Sequence, residues 1–236
     1  RLEAFASTDS TFAKKGVVFV KFDLKQGIDG YIAVEAGEGS TLKLINGKLT
    51  DPDGHVLAIF DKMWNQEGKL IKAMLKSGIA ATFAIATQPL DPKTVLVINN
   101  GTYEVQREAC VRTWKAILAK GMQIETPEQL VNNAYRNSIC QIFQLINGDE
   151  IRYSAGNQYD KMYEAEGSDA AIALLAFGFE SDMRQLMVPL FEFTRKGLEL
   201  HHSSFKINNL CQYYWNSRDK NVVQELRSLW KKEVQL

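Results

Sequence analysis

Residues 81–118 read ATFAIATQPLDPKTVLVINNGTYEVQREACVRTWKAIL, and the hydrophobic period changes inside that stretch. Up to Thr87 the side chains alternate between two faces, the period of a β-strand. From about Tyr103 to Lys120 the apolar residues Val105, Ala109, Val111, Trp114, Ile117 and Leu118 fall three and four apart, the period of a helix. Gln88-Pro-Leu-Asp-Pro92 marks the change. The chain therefore reads as a multi-domain protein, β first and then α.

Upstream, the alternation repeats. In VVFVKFDL, Val18, Val20, Phe22 and Leu24 share one face while Lys21 and Asp23 take the other. GYIAVEAG, TLKLINGKLT, VLAIFDKMW and KLIKAML continue the theme between turns. Asn46-Gly47 is a hairpin signal, because both residues tolerate positive φ. Asp51-Pro-Asp-Gly54 is a second turn, and GEGS at 37–40 a third. About six or seven such strands predict an antiparallel β-sandwich over 1–98.

Downstream, a linker helix is expected over 99–122, stopped by Gly121. Thr126-Pro127-Glu128-Gln129 reads as a helix start with a capping box, and the helix that follows is expected to run to Asn147-Gly148 with Val131, Tyr135, Ile139, Ile142 and Ile146 as its stripe. A buried helix begins at Ser168 or Asp169 and carries AAIALLAFG. Ser181 caps the next, which Pro189 is expected to kink or interrupt. INNLCQYYWNS and NVVQELRSLWKKEVQ complete the helical region, 123–236.

Composition narrows the functions. The 236 residues carry 28 basic and 28 acidic side chains, so no net charge points to nucleic acid or an anionic membrane. No run of 18 apolar residues predicts a membrane span. Cys110, Cys140 and Cys211 match no zinc or redox spacing and read as small buried hydrophobes. No phosphate-binding glycine loop or nucleophile elbow occurs, and no cofactor is expected.

The chemistry concentrates in SAGNQYDKMYEAEGSDAAIALL, residues 154–175. Asn157, Gln158, Tyr159, Asp160, Tyr163, Glu164, Glu166 and Asp169 combine carboxylates, amides and aromatic rings ahead of the most apolar helix. Carboxylates favour the positive end of a helix dipole, so a solvated helix start is one reading. The other is a carbohydrate site, where rings stack on sugar faces, amides fix hydroxyls and paired carboxyls cleave the glycosidic bond.

His201-His202 with Glu199 suggests a metal site, but adjacent histidines lack the usual ligand spacing, and a solvated or cleft-lining loop is the simpler reading. Trp64 reads as packing under the connecting helix, and Tyr213-Tyr214-Trp215 as an inner-wall cluster of core aromatics, with Trp215 reaching the pocket as the alternative.

A sandwich, a linker helix and then α-hairpins is a layout that resembles the six-hairpin (α/α)6 toroid glycosidases: glucoamylases, maltose and kojibiose phosphorylases, rhamnosidases and glycogen-debranching relatives. The likeness runs from roughly Ala81 to Asp219 and is strongest from Pro127 to Gly178. There SAGNQYDKMYEAEGSDA matches the pattern SAGNxYxKxYExEGxDA of a bacterial branch.

The resemblance implies a glycoside hydrolase acting by inversion on an oligosaccharide or polysaccharide. It implies that Asp169 holds the sugar, with Glu166, Tyr163, Asp160 and Asn157 around it, and His201, His202 and Lys206 as further contacts. Ser168 stands where the family often has Arg. The family's acid and base usually come from later hairpins, and the space after the linker fits about five helices of typical length. The expectation is thus a fragment whose incomplete toroid is completed by the remainder of a longer chain, or by partner copies; the layout suggests a periplasmic or secreted protein. A non-catalytic carbohydrate-binding or structural module is the competing class. A phosphorylase is the alternative within enzymes.

Overall fold

A computed structural model describes residues 1–35, 41–93 and 95–235; the turn expected at 37–40 lies outside them. Contacts divide the chain into two compact units, Arg1–Trp114 and Lys115–Leu236.

The first unit contains β1 (Leu2–Ala6), α1 (Ser10–Ala13), β2 (Val17–Phe22), β3 (Gly30–Glu35), β4 (Lys43–Ile45), β5 (Lys48–Thr50), β6 (Val56–Phe60), β7 (Trp64–Glu67), β8 (Leu70–Leu75) and β9 (Ala81–Leu90). All pairings are antiparallel. The strands form a six-stranded sheet, β1-β2-β9-β6-β5-β4, and a three-stranded sheet, β3-β8-β7. The VLAIFDKMW run splits into β6 and β7 at Asp61, which is buried. Its carboxylate accepts the Thr82 N–H at 2.6 Å, the Thr82 hydroxyl at 2.8 Å and the Met63 N–H at 2.8 Å, turning the chain from one sheet to the other.

Val20, Phe60 and Phe83 of the larger sheet share a core with Trp64, Ile71 and Ala73 of the smaller. The Trp64 indole meets Phe22, Phe60 and Phe83 at 5.3–6.3 Å and donates to the Thr82 carbonyl at 3.1 Å. Trp64 thus packs between the sheets, not under the connecting helix as expected. A second core on the other side of the larger sheet joins Val17, Phe19, Ile59 and Ala84 to Ile98 and Tyr103. β2 is therefore apolar on both faces, which the alternation of VVFVKFDL shows only for one. Fully burying a side chain such as Phe19 contributes roughly 1.5–3 kcal/mol.

The Asn46-Gly47 turn forms as expected: β4 pairs with β5 across it, with φ of 51° and 75°. Gly47 is required twice over, since a Cβ there would also lie 2.7 Å from the Phe60 carbonyl oxygen. Asp51–Gly54 is likewise a turn, Gly54 taking φ 86°.

Helix α2 (Asn100–Leu118) opens where Asn99 Oδ1 accepts the Thr102 N–H at 2.9 Å. Its period is as predicted but its buried face is rotated: Tyr103 and Cys110 point inward, whereas Val105 and Val111 are exposed. Near the start of α2, Glu104 pairs with Lys21, whose ammonium lies 4.7 Å from the Tyr103 ring centre. Burial of the phenol, then the charges of Glu3 and Glu104, push Tyr103 up to about 12.

The second unit contains α3 (Gln129–Gln144), the hairpin β10 (Ile146–Asn147) and β11 (Glu150–Ile151), α4 (Glu164–Ala176), α5 (Glu180–Glu192), α6 (Glu199–Ser217), α7 (Lys220–Glu225) and α8 (Arg227–Val234). Several boundaries differ from expectation. The capping box at Thr126 is replaced: Asn132 accepts the Thr126 N–H and donates to its carbonyl, both at 2.8 Å, and Glu128 is the N-cap residue without a side-chain bond. Helix α3 stops at Gln144 because the next residues pair as a hairpin, with Gly148 at φ 67°. Helix α4 begins at Glu164, and α5 at Glu180 with Phe179 as its N-cap. Pro189 does not end α5, which runs on to Glu192; the carbonyl deprived of its bond belongs to Gln185, an exposed residue that water reaches.

The core of this unit joins Ile139, Leu174, Met183, Met187, Leu210 and Tyr213 among others. Helix α4 is buried along one face rather than all round: Leu174 and Ala171 are fully enclosed, but Ala176 is exposed. Of the three cysteines expected to be buried, Cys110 is, Cys140 is half-buried and Cys211 is exposed. Cys211 lies on the outer side of α6, whose inward positions are His202, Lys206, Asn209, Leu210 and Tyr213.

Candidate functional site

Between β11 and α4 the chain folds back on itself. Arg152 donates to Asp160 at 2.8 Å, and the Tyr153 N–H donates to the Lys161 carbonyl at 3.0 Å. Inside that bracket Asn157 holds the turn: its Oδ1 accepts the Tyr159 N–H at 2.8 Å and its Nδ2 donates to Ser154 Oγ at 2.7 Å. Gly156, at φ 75°, lets the backbone reverse there.

The fold-back brings three tyrosines together. Ring centres lie 5.6 Å apart for Tyr153–Tyr159, 5.7 Å for Tyr153–Tyr163 and 6.3 Å for Tyr159–Tyr163. With Ser154, Asn157 and Glu166 they line an open hollow of about 600 Å³. The first two are approximately half exposed, so their faces are available to a ligand.

Behind Tyr163 lies a charged node. Glu164, the first residue of α4, is buried and pairs with Arg195, whose guanidinium sits 5.2 Å from the Tyr163 ring centre. His201 Nε2 and His202 Nε2, both from the first turn of α6, reach the same carboxylate at 3.5 and 3.3 Å. His202 is fully buried and stacks on Phe193 at 5.5 Å. Burial pushes the Glu164 carboxyl up. The Arg195 and backbone hydrogen bonds and the charges of His202 and Arg195 outweigh it, and hold the group below its ordinary 4.5. Glu164 is thus an ionised anchor at neutral pH.

The expected site residues divide. Tyr163, Glu166 and Asn157 line the hollow. Asp160 stands beside it and is spent on Arg152, whose bond is the first cause holding its carboxyl low. Asp169 is exposed on α4, one turn beyond Glu166, and does not line the hollow. Glu166 and Asp169 belong to the helix, not to a loop before it.

His201 and His202 are likewise helical, not in the loop expected, and both reach Glu164. Arg195 already fills the cation's place at that carboxylate, and Glu199 turns away to accept the Gly197 N–H at 2.9 Å. Lys206 is buried on Glu233 at 2.9 Å and Thr194 at 3.1 Å, so it is not free for a sugar. Trp215 is exposed at the other end of α6, with Arg218 4.5 Å from its ring centre. It does not line the hollow.

Sequence reasoning missed Tyr153, one residue ahead of the stretch that drew attention, and Arg195. Glu164 was among the acidic residues noted but not distinguished from its neighbours. Its signal is position: it is the α4 residue whose side chain turns inward with Ser168 and Ala171, three and four residues apart.

Other places among the described residues have site-like features. A hollow of about 860 Å³ in the first unit is lined by Ile59, Met63, Val95 and Val97 with Asp61 at its wall, and that carboxylate is committed to Thr82. Asp51, Asp53 and His55 bring their donor atoms within 4.8 Å on an exposed turn. There Asp51 already bonds the His55 ring at 3.1 Å and its N–H at 2.8 Å. Comparison with protein-family models, curated proteins and solved structures gives no match.

Proposed function

We propose that the C-terminal helical unit binds carbohydrate in the tyrosine hollow, as the sugar-gripping part of a protein with the six-hairpin glycosidase layout. The observation that carries this reading is the trio Tyr153, Tyr159 and Tyr163 around an open hollow, Tyr153 edge to face with each of the other two, with Ser154, Asn157 and Glu166 on its rim. An aromatic face accepts the apolar side of a sugar ring, while a few polar groups fix its hydroxyls. Helices α3 to α8 are the opening hairpins of the toroid in this reading.

Glycoside hydrolysis needs two carboxyls flanking the scissile bond, about 5 Å apart for retention or ~6.5–9.5 Å for inversion. Among the described residues, Glu166 is the one carboxylate lining the hollow. Glu164 sits behind Tyr163, and Arg195 keeps it ionised, so it is no proton donor at neutral pH. The hollow is accordingly a binding subsite, and the acid and base of the hydrolase reading lie in other hairpins. That single carboxylate also favours a second reading, a binding module without hydrolytic activity.

An oligosaccharide array followed by calorimetry on the best binder tests the proposal. Tyr159→Ala is expected to weaken binding about tenfold, a loss of ~1.4 kcal/mol, with the fold intact because Tyr159 is exposed. Equal affinity for the variant sinks it. Release of reducing sugar from the bound oligosaccharide decides between hydrolase and binding module.

A further inference from the structure

The polar node behind Tyr163 is not complete. Glu164 Oε2 and His202 Nε2 are both buried and 3.3 Å apart, yet neither completes a hydrogen bond, and Arg195 Nε is buried without a partner as well. The other imidazole nitrogen faces two incompatible partners at equal distance. His202 Nδ1 lies 3.4 Å from the Arg195 backbone N–H, a donor, and 3.4 Å from the Phe193 carbonyl, an acceptor. One ring nitrogen cannot serve both at once. Its proton decides.

We propose that His202 is a proton-gated positioning residue for the tyrosine hollow: its charge state sets whether Glu164 stays committed to Arg195, and so whether Arg195 stays stacked on Tyr163. In the neutral ring, Nε2 carries the proton on the Glu164 side, 3.3 Å from the carboxylate, and the Nδ1 lone pair accepts the Arg195 N–H. That state holds the segment after α5 in place, with the guanidinium against Tyr163. Uptake of one proton from solvent at Nδ1 makes both nitrogens donors. Nδ1–H then bonds the Phe193 carbonyl, the Arg195 N–H loses its acceptor, and the cationic ring competes with Arg195 for the Glu164 carboxylate.

The surroundings allow the gate. His202 faces Glu164 of α4, Arg195 after α5 and Glu233 of α8, with Glu199, His201 and Lys206 on its own helix. A charge on His202 lowers the carboxyls of Glu164, Glu199 and Glu233, in each case by less than their hydrogen bonds do. Glu233 is held in turn by Lys206 at 2.9 Å and Ser203 at 2.6 Å, which leaves Glu164 as the carboxylate with a free oxygen toward His202. Half-exposed His201, also on Glu164, stands between the node and solvent. The Phe193 ring is stacked on the imidazole, 5.5 Å between ring centres, so it reports on the ring's charge.

The first test uses the full chain without any sugar. Ring resonances of Tyr163 and Phe193 and the His202 C–H signals are followed by NMR from about pH 5 to about pH 8, the range in which histidine changes charge. With three histidines in the chain, His55→Gln and His201→Gln assign the signals. The expected result is one shared midpoint for His202, Tyr163 and Phe193. A Tyr163 ring that ignores the titration of His202, or a His202 that keeps one charge state throughout, overturns the proposal.

The second test rests on the carbohydrate reading. Affinity for the array's best oligosaccharide is expected to fall threefold or more, about 0.65 kcal/mol, as the wild-type protein is acidified through that midpoint. In His202→Gln it is expected to be flat with pH. The same slope in that variant removes His202 from the gate. No sugar binding at any pH, together with a shared NMR midpoint, defeats the carbohydrate reading and leaves the gate standing.

Discussion

Among single residues, Glu164 joins three partners in the C-terminal unit. It is buried, it anchors Arg195, and two histidines converge on it. Glu164→Ala is expected to cost about 2–3 kcal/mol in chemical denaturation, below the usual cost of breaking a buried pair because Arg195 remains partly in water. A loss under about half a kcal/mol would reduce the node to a surface pair. The pH dependence has a definite sign. The Glu164 carboxyl is depressed below 4.5, so its contribution is fully present above that value and is lost as pH falls through the lower, folded-state value. Wild-type stability is therefore expected to fall below about pH 4.5, and Glu164→Gln to fall less steeply there. The residue types of this site are legible in the sequence, but the choice among them is not. At about 100° per residue, Glu164 and Asp169 lie about 140° apart around α4, so the face that packs inward takes one and not the other. Packing buries Glu164 with Ser168 and Ala171, and Asp169 faces water. Asp169→Asn is then expected to change sugar binding by less than about twofold, whereas Glu166→Gln weakens it severalfold. The reverse order would place the sugar along α4 rather than in the hollow.

At the scale of elements, local signals are read correctly and competing ones are not. Asn46-Gly47 makes its hairpin because the turn's φ angles belong to those two residues alone. Thr126 loses its predicted cap because Asn132, six residues on, bonds both its N–H and its carbonyl. Val105 and Val111 keep helical spacing yet face solvent, since Tyr103 and Cys110 supply the inward face of α2. A further local constraint is Gly121. A Cβ there would lie 2.4 Å from the Phe179 ring and 2.8 Å from the Phe177 carbonyl, while the Met122 N–H bonds that same carbonyl at 2.7 Å. Gly121→Ala is expected to destabilise the protein by about 1–3 kcal/mol, read from the denaturation midpoint, as overpacking generally does. An unchanged midpoint would mean that the chain between α2 and α3 yields at no cost.

At the scale of the whole molecule, the order β then α is legible because the hydrophobic period changes between Thr87 and Tyr103. The strand order β1-β2-β9-β6-β5-β4 is not, since it depends on pairings between residues as distant as Val17 and Ala86. Nor is the meeting of Tyr153, Glu164, Arg195 and His202, which takes three helices to assemble. Ring-resonance mapping during titration with the best-binding oligosaccharide decides whether the tyrosine hollow binds carbohydrate. The expected result is saturable shifts at Tyr153, Tyr159 and Tyr163, with Trp64 and the Val95–Ile98 side chains of the N-terminal hollow unmoved. Shifts confined to that N-terminal hollow, or none at the three tyrosines, would contradict it.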